Sequence, residues 1–192
     1  MNTSHVMRRV AAVAAAVTLP VSLGVLAPQA VAAAENGPFG PGCSALPAEG
    51  EGSAEGMSDD PVATAAANNP ELSTLVSAVK AAGLVDTLNN AEDITVFAPT
   101  NDAFAKIPKA DLDKVLADKA ALTKILTYHV VDEEVGKADL ADGSFKTLQG
   151  GTVTTDGSGD AYTVNGTAKI VCGDVQTSNA NVHVIDTVLM PK

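Results

Sequence analysis

Apolar positions along this chain follow two rhythms. From Asp60 to Thr127 they recur at helical spacing, and beyond Lys137 they alternate. Asp60-Pro61 and Asn69-Pro70 each read as an N-cap followed by proline at the first helical position. Leu72, Leu75, Val76 and Val79 then mark one helical face, and Gly83 stops it. Leu84, Val85 and Leu88 predict a further short helix. The β-branched and aromatic run Ile94-Thr95-Val96-Phe97-Ala98, closed by Pro99, predicts a strand. Thr100 is placed to cap the next helix, with Asp102 in its first turn, and Asp111 and Asp118 read as two more caps. Leu112, Val115 and Leu116, then Leu122, Ile125 and Leu126, predict two amphipathic helices that each bury one stripe. Alternating runs follow at Phe145–Leu148, Thr152–Thr155, Ala161–Val164, Ala168–Val171 and Val182–Ile185, with a last apolar piece at Val188–Met190. Gly150-Gly151, Asp156–Asp160 and Asn165-Gly166 separate them as turns. Helices followed by an antiparallel meander predict an α+β domain, not a doubly wound sheet.

The N-terminus follows neither rhythm. Arg8-Arg9 precede an apolar run from Val10 to Leu26, and small residues close it up to Ala34. This is the layout of a secretory leader over residues 1–34, cleaved after Ala32 or Ala34. Pro20, Ser22 and Gly24 interrupt the run and leave it short of the roughly 20 apolar residues of a spanning helix, so no stable membrane insertion is expected after processing. Residues 35–56, rich in Gly, Pro, Ala and Glu, form an irregular segment ahead of a domain over 57–192. Export also sets the redox compartment, and there the two cysteines, Cys43 and Cys172, are expected to pair and pin that segment to the body.

Composition narrows the function. The net charge is −11, every Asp and Glu lies from Glu35 onward, and both arginines lie in the leader. An acidic chain without arginine repels phosphate backbones, which argues against nucleic acid. There is no tryptophan on which a base or sugar could stack. Two cysteines and, beyond the leader, two distant histidines, His129 and His183, make no metal site. No G-x-S-x-G, H-E-x-x-H or P-loop lysine occurs, so no enzyme and no cofactor are expected. Asp156–Asp160 lacks the glutamate of an EF-hand loop and reads as a solvated hairpin tip.

Three ordered segments resemble fasciclin-like domains. They are Thr95-Val96-Phe97-Ala98-Pro99-Thr100-Asn101-Asp102-Ala103-Phe104, then Leu126-Thr127-Tyr128-His129-Val130-Val131, then Asn181-Val182-His183-Val184-Ile185-Asp186-Thr187-Val188-Leu189-Met190-Pro191. The resemblance covers roughly Met57 to Lys192 and implies a fasciclin-like fold, with N-terminal helices on an antiparallel β-wedge or sandwich. Gly56–Val62, Pro41-Gly42-Cys43 and Val171-Cys172-Gly173 further resemble the secreted, single-domain immunogenic members found in mycobacteria. Phe97 and Phe104 are then core residues joining sheet and helix, and Thr100 and Asn101 form the capping turn between them. His183, among alternating valines, is expected to be exposed or half-buried.

The resemblance implies a secreted adhesion or interaction protein, extracellular or held at the cell wall. Its partner would be a matrix, cell-surface or envelope component, an integrin-like receptor among them, met through Tyr128, His129, Leu126 and Val130. The competing reading makes His129 a buried side chain bonded to the turn at Thr100–Asn101, and it is preferred because buried polar groups must be satisfied. From another class comes a carrier of a small apolar ligand. Few aromatics and many alanines could leave a cavity between helices and strands. Oligomeric state is open.

Overall fold

The computed structural model describes residues 37–191. The expected leader, its cleavage point, and Glu35 and Asn36 lie outside the described residues. Six α-helices occur among the described residues: α1 Val62–Ala67, α2 Ser73–Ala82, α3 Val85–Asn90, α4 Asn101–Ala105, α5 Lys109–Ala117 and α6 Lys119–Tyr128. Seven strands accompany them: β1 Ile94–Pro99, β2 Val130–Val131, β3 Asp142–Lys146, β4 Thr152–Ser158, β5 Ala161–Val164, β6 Ala168–Gln176 and β7 Ala180–Ile185. They form one sheet in the order β2-β1-β7-β6-β5-β4-β3. Val131 also bridges Thr147 just beyond β3, so the two ends of the sheet meet and the strands curl almost into a barrel.

The α+β class expected from the two rhythms is the one observed, with local differences that have physical causes. β3 through β7 run as an antiparallel meander, but β7 pairs with β1 in parallel, from Ile94↔Ala180 to Pro99↔Ile185. The connection between these two strands carries α4–α6 and β2–β6, which supplies the long crossover that a parallel pair requires. Strand β3 starts earlier than its apolar residues suggest, because Asp142, Gly143 and Ser144 pair with β4 through their backbones. Val188 and Leu189 are buried, yet this last apolar piece is not a strand. The Asn165-Gly166 turn is present, with both residues at positive φ.

Caps divide the same way. Asn69, Thr100 and Asp118 accept backbone N–H groups at their expected helix starts. Asp60 does not cap α1. The N-cap is Pro61, and the Val62 amide is held by the side chain of Asn179 instead. Asp111 sits inside the first turn of α5, whose stripe of Leu112, Val115 and Leu116 is no more than half-buried. Helix α5 is therefore a surface helix.

Alternation along β1 and β7 separates two cores. Ile94, Val96 and Ala98 of β1, with Ala180, Val182 and Val184 of β7, face the helices. Phe97 and Ile185 face the interior of the curled sheet. In β6 the register shifts between Ile170 and Cys172, which moves the strand's buried residues from the barrel core to the helical core. Cys172 thereby meets Cys43, and the expected disulfide is formed across a sequence separation of 129. Ahead of it Phe39 exchanges two backbone hydrogen bonds with Gly173. A side chain at position 173 would collide with the Phe39 ring, so this contact requires glycine.

Candidate functional site

Helix α6 ends on the junction between the two cores, and its last residues face opposite ways. Tyr128 turns into the barrel core. Its Oη donates to the Thr152 carbonyl at 2.9 Å and accepts from Asn165 Nδ2 at 3.1 Å. His129 is 2 % exposed and turns toward the helical core. Its Nδ1 lies 2.8 Å from the Ile125 carbonyl, and its Nε2 lies 2.9 Å from the Leu189 amide. A carbonyl only accepts, so Nδ1 carries the proton and Nε2 receives the amide hydrogen. The His129 carbonyl also accepts from Phe97 N at 2.8 Å. One residue thus joins α6, β1 and the segment after β7.

His129 is therefore buried and satisfied, but not by the turn at Thr100–Asn101. Thr100 caps α4 through Ala103 N. Asn101 reaches to the start of α2, accepting from Thr74 N at 2.9 Å and donating to the Pro70 carbonyl at 2.9 Å. Leu126 and Val130 are buried in the helical core. Tyr128, His129, Leu126 and Val130 thus form no exposed patch, which corrects the expectation that their side chains present a surface. Phe97 and Phe104 are both core residues, but they belong to the two different cores.

His183 is 0 % exposed, against the expectation of an exposed or half-buried side chain. The curl of the sheet covers it, with Phe97 and Phe39 at ring distances of 5.6 and 6.4 Å. Its Nε2 donates to the Val135 carbonyl at 2.9 Å, and its Nδ1 accepts from Asp174 N at 3.1 Å. The two histidines are opposite tautomers with the same logic: one nitrogen donates to a carbonyl, the other accepts from an amide. Burial lowers both pKa values from 6.5 to about 4, partly opposed by the carbonyl each ring faces. Both rings are neutral at physiological pH and act as fixed braces.

Several residues that tie the site together carry no local signal. Asn179 accepts from Val62 N and donates to the Leu88 and Ala91 carbonyls, so it holds the start of α1 and the end of α3. Asn181 donates to the Val135 carbonyl and to Asp174. Apart from Asn181 to Asp174, these contacts span dozens of residues, and an asparagine in a turn or strand looks the same with or without them. Between α1, α2, α3, α6 and β1 lies a cavity of about 210 Å3, and Leu126, His129 and Val130 form part of its wall. Among the described residues no group of three or more His, Cys, Asp or Glu is placed to hold a metal ion.

The family model described as Fasciclin domain matches residues 70–191, from just ahead of α2 to the end of the described residues. The chain belongs to the fasciclin domain family. It is 45 % identical to the immunogenic protein MPB70 of Mycobacterium bovis over 98 % of this chain and 94 % of that protein. It is 50 % identical to the cell surface glycolipoprotein MPB83 of Mycobacterium bovis over 80 % of this chain and 72 % of the relative. Among solved structures, a FAS1 domain pair from the insect cell adhesion molecule fasciclin I superposes with a TM-score of 0.58 at 21 % identity. That match takes in 71 % of this chain and 52 % of the insect chain, and it establishes the fasciclin fold. The resemblance carried by the three motifs is thus borne out, and their buried residues serve the junction between the two cores.

Proposed function

We propose that this fasciclin domain is a secreted, non-enzymatic interaction module that binds a matrix, cell-surface or envelope protein through its outer surface. The observation that carries this reading is near full-length similarity to an immunogenic protein, together with similarity to a cell-surface protein, each of which matches this chain at 45 % identity or more. In this reading the leader over residues 1–34 is removed after Ala32 or Ala34, and the disulfide forms outside the cytoplasm. The protein is extracellular and a candidate antigen. Fold alone names no partner, so the surface has to be argued from its residues.

The buried Tyr128 and His129 act in this reading as braces, and contact falls to their exposed neighbours. Leu148 is 40 % exposed, and its amide bonds the Val130 carbonyl. Gln149 is tied in the same way to Thr127. These two backbone bonds hold an apolar side chain on the surface directly above the Tyr–His junction. Once the leader and its two arginines are removed, 10 lysines against 23 acids leave a net charge of −13, and a partner with a basic rim around an apolar centre suits this surface.

Immobilised mature protein, presented with matrix proteins and integrin-bearing cells, tests the proposal. Saturable binding is expected, lost in Leu148→Asp and kept in Tyr128→Phe once thermal unfolding has shown both variants folded. Absence of saturable binding to every matrix protein and cell type tried would defeat the adhesion reading.

A further inference from the structure

The cavity in the helical core is large for a domain of this size. Protein interiors are normally packed with few voids larger than a water molecule. This one is about 210 Å3, and its wall is mostly aliphatic, with Leu72, Leu75, Val76, Val79, Leu88 and Val96 among its residues and Phe97 and His129 as its aromatic members. A wall of this kind offers a water molecule too few hydrogen-bonding partners, so the cavity suits apolar contents. Branched aliphatic side chains favour a flexible chain over a flat ring, which gains most from aromatic neighbours.

One charge stands at this cavity. Among the described residues that line it, Lys80 alone is charged at neutral pH. It lies exposed in the last turn of α2 and takes part in none of the three ion pairs among the described residues. Lys119, at the start of α6, places its ammonium near Gly83, which ends α2. Among the described residues no carboxylate lines the cavity to oppose them. An apolar interior with a cation and no anion at its edge matches an amphiphile with a negative head.

We propose that this cavity binds a single-chain aliphatic acid, with its methylenes inside and its carboxylate or phosphate at Lys80. An engineered 150 Å3 cavity takes benzene, and at that ratio this volume holds roughly eight carbons. Longer chains leave their remaining carbons outside. Leu148 of the proposed contact surface also lines this cavity, so the two sites adjoin; the ligand goes beyond the adhesive reading.

The test uses secreted, disulfide-bonded protein, titrated calorimetrically with straight-chain fatty acids from about six to about twelve carbons. Affinity should tighten about fourfold per added methylene and then level off once about eight carbons are buried. Lys80→Met should weaken the acids about tenfold and leave the matching alcohols unchanged. Val76→Phe and Ala66→Leu, which fill the cavity from two helices, should abolish binding while circular dichroism and thermal unfolding report a folded protein. Decyl phosphate beside decanoate, together with mass spectrometry of ligand extracted from protein secreted by its native host, distinguishes a phosphate head from a carboxylate. The proposal is overturned if folded wild-type protein binds no member of the series. It is equally overturned if affinity ignores chain length, if both filled variants bind as well as wild type, or if Lys80→Met affects acids and alcohols alike.

Discussion

The two sides of the sheet are filled by different chemistry. The barrel core holds Phe39, Phe97, Tyr128, Phe145 and Tyr162, whereas Phe104 is the one aromatic residue of the helical core. On the helical side α1 and α2 contribute Ala65, Ala66, Ala78 and Ala82, whose small side chains let helices approach but do not fill the space they enclose. The described residues leave the 210 Å3 cavity on that side. Jigsaw packing is thus concentrated where the strands curl, and the helical side combines looser packing with a covalent tie, since Cys172 belongs to its core. A fold can keep its shape from one well-filled core and leave the other free for a different use.

Acid is expected to strike both sides at once, and with the largest effect. His129 serves the helical side and His183 the barrel. Each has a folded pKa of about 4, below its ordinary 6.5. As pH falls the unfolded chain therefore takes up protons first. Their contribution is complete above pH 6.5, is lost between 6.5 and about 4, and is flat below that. The expected loss is about 3 kcal/mol per histidine by pH 4. The structural event is specific: a proton on His129 Nε2 displaces the Leu189 amide, and one on His183 Nδ1 displaces that of Asp174. Urea unfolding across this range should show the slope, and His129→Gln or His183→Gln should each remove about half of it. Equal slopes in wild type and both variants would show that neither ring is held neutral.

The covalent tie comes next. Cys43→Ser with Cys172→Ala opens a loop spanning 129 residues, and the chain-entropy model puts the loss near 5 kcal/mol. Because Phe39 still exchanges backbone hydrogen bonds with Gly173, the segment should stay docked in the folded variant. Amide exchange at Phe39 would reveal its release if those bonds do not suffice. On the barrel side Phe97→Ala, at a fully buried ring, should cost about 3–5 kcal/mol. Denaturant midpoints at constant m-value measure both.

How far the sequence could be read follows from the range of each interaction. Periodicity marked β1, α2 and α6, because their faces are set by neighbours within one or two turns. It placed the disulfide from the redox compartment and the existence of only two cysteines. It failed where partners are remote. Nothing near Asn179 signals that it caps α1, and Asp60 looked like the cap because local sequence contains no sign of competition from a residue over a hundred positions away. His183 alternates with valines and reads as half-buried, but the curl of the sheet places Phe39 over it from the far end of the chain. Tyr128-His129 was legible as a motif and not as a junction, because facing two cores is a property of the sheet's curvature. A cavity was foreseeable from the alanines and scarce aromatics, but its position and its single lysine were not.

The smallest effect gives the sharpest test, because one substitution should change sign between the two sides. Ala66 on α1 lines the cavity, and Ala168 on β6 is fully buried in the barrel core. At position 66 leucine adds three carbons to open space on a residue with high helix propensity, and should stabilise by about 0.5–2 kcal/mol. At position 168 the same three carbons meet the packed barrel core and should cost about 1–3 kcal/mol. Thermal unfolding of Ala66→Leu and Ala168→Leu, measured side by side on delipidated protein, reads the difference. Delipidation matters, because a bound amphiphile stabilises only the folded wild type and would hide the gain at Ala66. If Ala66→Leu destabilises as much as Ala168→Leu, the helical side is as tightly filled in solution as the barrel, and the contrast between the two cores fails with it.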